Sequence, residues 1–436
     1  MQSCVRSFLL RLLRLHDATP AERIAALWTA VAFCCVLFAY YLLRPLRENV
    51  GAAFGAERLL GLFVLTFVLT TLLNQPYMWL VRRLPSHRFL AYGLHAFAAS
   101  FGLLAFVFLD SGKDLGQLEG GTWRGAAFAL FYSWVTAFAV CGVTLVWVHA
   151  VEWFSLAQGK RLFGLVSVGG TAGAMAGSSL SGHLASYSYS TLCWLAALGI
   201  ELAVLAWWAS LRACRRIRQA PPPRPTAGGP GFLAGLGRVL RDPYLRAIAG
   251  FVLLAAVVAT TFYYQRIVVV REQLPDDAAR RALEAGINFW QNAIALTLQL
   301  FVTSRALLGL GIGLVLCVMP LASLVSLSVL SVWPVVAIYA VFEVARRTLQ
   351  FAFDKPAREV LYTPLDPEAK YVSKAVIDTA VLRFGDVVGA VLNNALLQVR
   401  LGPAALLAAA LPVLVAWLGI GRWLGGQCAR REGGGR

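Results

Sequence analysis

The chain has 436 residues, 59% of them apolar and only 14% charged. Soluble domains carry roughly 25% charged residues, so this chain cannot give itself a polar coat, and a water-soluble enzyme or binding module is excluded. Its net charge of +17 does not point to nucleic acid, which requires a contiguous basic face or a reading module. The Lys and Arg residues instead form short clusters between apolar blocks, as the positive-inside rule places them in membrane proteins.

Residues 1–23 carry Arg6, Arg11 and Arg14 among Phe8, Leu9, Leu10, Leu12 and Leu13. This is the pattern of a basic amphipathic segment on the cytoplasmic membrane surface, without the apolar region and cleavage site of a signal peptide. From there apolar runs long enough for a hydrocarbon layer of about 30 Å recur to the end of the chain. They fall at roughly 24–43, 58–80, 88–109, 124–150, 162–186, 190–211, 245–270, 284–303, 305–328, 331–352, 373–399 and 402–424. The expected fold class is all-α integral membrane, with about twelve transmembrane helices. The longest polar break, 212–243, holds Arg212, Arg215, Arg216 and Arg218, then PPPRPTAGGPG, then Arg238 and Arg241. It reads as a flexible cytoplasmic linker between an N-terminal bundle at 24–211 and a C-terminal bundle at 244–424, with a cytoplasmic tail at 425–436. Arg82, Arg83, Arg88, Lys160, Arg161, Arg305, the stretch from Lys355 to Lys374, and Arg422, Arg430 and Arg431 share the linker's side. Both termini are therefore expected in the cytoplasm. The loop with Asp276, Asp277, Arg280 and Arg281 is the most charged on the outer side.

The halves echo each other at an offset of about 210 residues, the pattern of carriers built from repeated bundles. The fifth span carries Gly169, Gly173, Gly177 and Ser181 at four-residue spacing, and the eleventh carries Gly385, Gly389 and Asn393. Small residues so spaced let helices approach closely in lipid, either within a bundle or at a gating or homodimer surface. The eight cysteines lack metal-ligand spacing and lie mostly in apolar blocks; no cofactor and no metal are expected. Gly159-Lys160 lacks the leading glycine and the hydroxyl of a phosphate-cradling loop, which argues against ATP-driven pumping.

Charges within spans are costly and therefore informative. Arg44, Arg47 and Glu48 follow the first apolar run, beside Pro45; they are either functional or anchors in the outer headgroup layer. Glu152 lies three residues after His149, where a coupling carboxylate, an ion pair and a metal pair are all open. Glu343 and Arg347 are spaced to pair. The eleventh span is densest: Lys374 shares a face with Asp378, and Arg383 with Asp386, so these charges either cancel within the helix or serve transport. Tyr263, Tyr264, Gln265 and Arg266, with Asn288, Gln291 and Asn292, add polar groups suited to a wet cavity.

Three of these segments together resemble the ATP:ADP antiporter (nucleotide transporter) family of bacteria and plastids, and its relatives in free-living bacteria. They are YYLLRPLREN, EWFSLAQGKRLFGLVSVGGTAGA, and above all FDKPAREVLYTPLDPEAKYVSKAVIDTAVLRFGDVVGA. The resemblance implies a major-facilitator-like fold of two six-helix bundles working by alternating access. It also implies two lysines and two glutamates for transport, whose positions here are Arg47, Lys374, Glu152 and, for the second glutamate, Ala259. The substrate-binding candidates are Arg47, Lys374, Arg44 and Tyr264; the coupling candidates are Glu152 and Asp378. The implied activity is secondary antiport, not catalysis, of a small anionic solute, nucleotide-like or phosphorylated, across the bacterial inner membrane. A proton-coupled carrier of another organic solute and a non-transporting scaffold or sensor are the alternatives. No nucleic-acid partner is expected; the oligomeric state is open.

Overall fold

A computed structural model describes residues 18–83, 86–109, 115, 121–154, 156–217, 232–362, 364–365, 373–374, 376–398 and 403–433. The N-terminal basic segment, the Pro/Gly centre of the linker and much of the stretch between Leu365 and Lys374 lie outside the described residues. Every regular element among those described is helical. That is what lipid requires, since a helix satisfies its own backbone N–H and C=O groups.

In chain order the helices are α1 (Pro20–Phe54), α2 (Leu59–Arg83), α3 (Ser86–Val107), α4 (Trp123–Trp153), α5 (Leu156–His183), α6 (Tyr189–Ile217) and α7 (Phe232–Arg241). There follow α8 (Pro243–Gln273), α9 (Asp277–Phe301), α10 (Thr303–Val332), α11 (Val336–Leu349), α12 (Lys355–Leu361), α13 (Leu382–Gln398) and α14 (Pro403–Gly433). Where they are described, the expected apolar runs lie largely on helix, with a break at 333–335. Eight helices among the described residues are long and apolar enough to cross a membrane. Outside those eight are α5, α9 and α14, and the shorter α7, α11 and α12. The first helix does not stop at Leu43: Pro45 lies inside it and α1 continues to Phe54. Thr122 caps α4 through Gly125 N (3.0 Å), and Asp242 caps α8 through Tyr244 N (2.8 Å), which fixes where these two helices start.

The chain forms two compact units. One holds residues up to Val50, Leu72–Ala227 and Asp276–Phe289; the other holds Gly51–Thr71, Gly228–Pro275 and Trp290–Arg436. In the first, α5 lies directly on α1. A Cβ added at Gly169, Gly173 or Gly177 would collide with the carbonyl oxygens of Ala30, Cys34 and Phe38 respectively, and Ser181 Oγ donates to Leu42 O at 2.9 Å. In the second, α13 lies on α8: a Cβ at Gly385 would sit 2.9 Å from Leu253 O, and one at Gly389 3.1 Å from Val257 O. Asn393 Nδ2 bonds Thr261 Oγ1 at 3.0 Å. The small-residue faces are thus packing faces within each unit, and the same helix pair recurs in both.

Gly173→Ala should therefore cost about 1–3 kcal/mol, because the atoms it meets are backbone and cannot rotate away. Gly286→Ala, where a Cβ meets nothing within 4 Å, should be neutral or slightly stabilising. Thermal unfolding of the two variants in detergent checks the contrast.

Candidate functional site

In the first unit, Arg47 is held from three sides. Its Nε donates to Thr136 Oγ1 at 2.9 Å, its Nη1 to Glu48 Oε1 at 2.7 Å, and its guanidinium lies 4.0 Å from the centre of the Tyr132 ring. Glu48 is buried and Arg47 half-buried, so this is a charge-compensated group within a helix. Arg44, one turn earlier, is half-buried and packs over Tyr40 and Tyr41, 6.0 and 5.4 Å from the ring centres. Glu152 is half-buried in the last turn of α4. His149 is fully buried and turned to another partner, with Nε2 2.9 Å from Ser210 Oγ. No three His, Cys, Asp or Glu side chains gather in metal-binding geometry among the described residues.

A second cluster of this unit was not visible as a cluster in the sequence. At the start of α9, Asp277, Arg280 and Arg281 are buried, although their loop reads as solvated charge. Asp277 pairs with Arg280 and accepts from Leu115 N (2.5 Å); Arg280 Nε donates to Asn49 Oδ1 (2.8 Å); Arg281 Nη1 donates to Tyr187 O (2.8 Å). The only sequence signal was the three-residue spacing of Asp277 and Arg280.

In the second unit, Glu343 holds two arginines. Arg346 meets it through two parallel bonds of 2.9 Å, and Arg347 Nε approaches its Oε1 at 2.5 Å. The expected Glu343–Arg347 pair is thus a triad, with all three side chains buried. Tyr264 is buried as well, its ring stacked on Phe63 with centres 6.5 Å apart. Its neighbour Arg266 lies 5.3 Å over Tyr263.

Of two π-helical turns, Gln350–Asp354 overlaps the start of the most specific motif and Ile377–Val381 lies within it. Such turns gather at functional sites because the extra residue redirects side chains. A cavity of about 190 Å³ opens beside the first turn, lined among others by Arg346, Asp354, Arg358, Arg383, Asp386 and Ala259. Arg358 Nε lies 3.0 Å from Asp354 Oδ2, and Arg383 Nη1 2.9 Å from Asp386 Oδ2. The Arg383–Asp386 pairing, three apart, is legible from spacing, and so is that of Asp354 and Arg358, four apart. Ser323 Oγ, which faces this cavity, and Asp354 Oδ1 are buried without a bonded partner among the described residues. A space of this size lets water or a small solute satisfy both.

Lys374 does not cancel against Asp378 inside its own helix. Its Nζ pairs with Glu359 on α12 and lies 5.9 Å from the centre of the Tyr362 ring. Asp378, in the π-helical turn, is exposed. A π-helical turn breaks the spacing that puts residues four apart on one face, and Glu359 could not be found without the fold.

The two ionic groups should respond differently to truncation. Glu343→Ala leaves two buried arginines without their carboxylate and should cost about 3–5 kcal/mol. Lys374→Ala removes a half-exposed pair and should cost no more than about 1 kcal/mol. Unfolding temperatures in detergent give both values.

Comparison with known proteins fits this geometry. Residues 286–427 match the model of the TLC ATP/ADP transporter family, a stretch that contains the Glu343 triad, both π-helical turns and Lys374. ADP,ATP carrier protein 1 of Chlamydia trachomatis serovar D is 22% identical over 315 residues, which span 63% of this chain and 60% of that carrier. Two solved structures share the fold. A bacterial homologue of the iron transporter ferroportin, in an inward-facing state, has a TM-score of 0.64 at 11% identity over 93% of this chain and 100% of its own. An auto-inhibited POT family peptide transporter has a TM-score of 0.64 at 14% identity over 93% and 97%. The sequence resemblance to the ATP:ADP antiporter family is thus met by a family-model match over residues 286–427, and the all-α, multi-pass fold is the one these two solved structures share. The matched family is one of transporters, not of enzymes.

Proposed function

Because residues 286–427 carry the TLC ATP/ADP transporter match, we propose that this chain is a secondary active carrier of an anionic, nucleotide-like or phosphorylated solute. The observation that carries the reading is the coincidence of that match with the arginine-lined cavity and Lys374. Arg47 in the first unit and Lys374 in the second are the cationic substrate residues, with Arg44 and Tyr264 flanking them. Each cation is held by a carboxylate, Glu48 or Glu359. When an incoming phosphate takes the cation, the displaced carboxylate must be met by water or a proton, since otherwise it is left as an unpaired charge. Glu152 and Asp378 are the coupling carboxylates. At the first lysine position of the resemblance stands Arg47, whose guanidinium presents a planar fork in place of a point charge.

A proton-coupled carrier is the second reading, favoured by the alanine at position 259 where the resemblance carries a glutamate. The protein sits in the bacterial inner membrane with both termini in the cytoplasm, as its basic clusters indicate.

Purified protein in liposomes should take up labelled nucleotides or phosphorylated metabolites against an internal exchange substrate. Lys374→Ala should lower that uptake at least about tenfold, the loss of one charge-assisted contact, while its unfolding temperature stays near the parent's. Uptake that is indifferent to anionic solutes but driven by a pH gradient would select the second reading, and no flux for any solute would overturn both. Reporter fusions after Arg224 and after Gly116 should report cytoplasm and periplasm respectively. The same side for both would refute the orientation.

A further inference from the structure

The outer faces of α3 and α6, which pack on each other in the first unit, are apolar from Tyr92 to Phe106 and from Trp194 to Trp208 with one exception. Tyr92, Leu103 and Phe106 of α3 and Trp194, Leu198, Leu202, Leu205 and Trp208 of α6 are all exposed, as a lipid-facing surface requires. Gly102 makes that surface close-fitting, since a Cβ there would stand 3.2 Å from the Trp194 ring, which meets Phe106 edge-on at 5.1 Å. In the middle of this surface His95 Nδ1 lies 2.9 Å from Glu201 Oε1, with 49% and 44% of the two side chains exposed.

The depth of the pair is what makes it informative. Glu201 lies twelve residues after Tyr189 and sixteen before Ile217, the ends of α6; at 1.5 Å per residue that is about 18 and 24 Å from the two ends. His95 is about 14 Å from the start of α3 by the same measure. Long Lys and Arg stems can carry a charge from there to the interface, but Glu and His cannot. Ionisable groups at this depth face protein or water in membrane proteins, not hydrocarbon. Among the described residues no bond is made by Glu201 Oε2 or His95 Nε2 beyond their mutual contact.

We propose that this face is the contact surface of a two-fold homodimer, in which His95 and Glu201 of each protomer meet Glu201 and His95 of the other. The occupant follows from charge complementarity. The patch presents an acid and a base side by side, so a rotation about an axis along the membrane normal sets acid against base at both places. A two-fold interface is isologous and needs self-complementarity of this kind. Ala96 and Ala99, exposed on the same face of α3 beside His95, leave room for a second helix to approach, as small residues do at helix contacts in lipid.

The test counts subunits in the full-length protein, singly labelled and diluted in lipid vesicles, by stepwise photobleaching. The parent should bleach mainly in two steps. The double variant His95→Leu with Glu201→Leu should bleach mainly in one, its dissociation constant raised at least about tenfold. Both replacements are apolar and face lipid, so the monomer should stay inserted with an unfolding temperature no lower than the parent's. The exchanged variant, His95→Glu with Glu201→His, keeps the complementarity and should restore two-step bleaching. A parent that bleaches in one step overturns the proposal, whether or not it associates with some other membrane protein. So does a double leucine variant as dimeric as the parent, which would place the contact on another face.

Discussion

Two ridges of backbone carbonyls, on α1 and α8, set the spacing of the helices around them. Lipid offers no hydrophobic gain for bringing helices together, so close packing and small residues must do it. Gly169, Gly173 and Gly177 bring α5 against the carbonyls of Ala30, Cys34 and Phe38, and Gly385 and Gly389 bring α13 against those of Leu253 and Val257. With such contacts at four-residue intervals, neither helix of a pair can slide or rotate without a backbone collision. The side chains on these helices inherit that fixity. Arg44, Arg47 and Glu48 project from the same α1 that carries the first ridge; Arg383 and Asp386 project from α13.

The charges obey a second rule: within each unit they are stored as compensated groups. Arg47 with Glu48, Asp277 with Arg280, Glu343 with Arg346 and Arg347, and Asp354 with Arg358 are pairs or triads in which at least one member is almost fully buried. Breaking such a group is costly, whereas the intact group adds little net stability. Ionisable groups inside membrane bundles are costly and collect where ions or substrates pass. Lys374 and Glu359 differ by being half-exposed, so their pairing is cheaper to open than the buried groups.

Legibility followed physical range. The apolar runs could be read because span length is imposed by the bilayer, residue by residue, and the packing faces because four-residue spacing is a local property of a helix. Pairs within one turn, such as Arg383 with Asp386 and Glu343 with Arg347, were equally local. The extent of α1 was not: the apolar run ends at Leu43, but the helix continues to Phe54, with Glu48 paired to Arg47 of the same helix and Asn49 met by Tyr189 and Arg280 from other helices. Nor was the Lys374–Glu359 pair, which joins two elements across a loop, or the burial of Arg280 and Arg281. Their loop composition reads as solvated surface, and only Asn49, Leu115 and Tyr187, far away in sequence, make it interior.

The alanine at position 259 bears on charge balance in the second unit. The cavity lining has three arginines, Arg346, Arg358 and Arg383, against two aspartates, Asp354 and Asp386. Adding the neighbours Glu343 and Arg347 gives four cations and three anions, so the excess is one positive charge either way. A glutamate at 259 would bring the lining to neutrality, and the alanine withholds it. An excess cation in a low-dielectric bundle is unfavourable unless an anion or water reaches it, and the cavity beside Ala259 is where either could. The substitution therefore does not weaken the case for an anionic solute, since it shifts the local balance toward attracting one. It does remove a carboxylate whose protonation or pairing could couple transport, and under the function proposed above that role is left to Glu152 and Asp378.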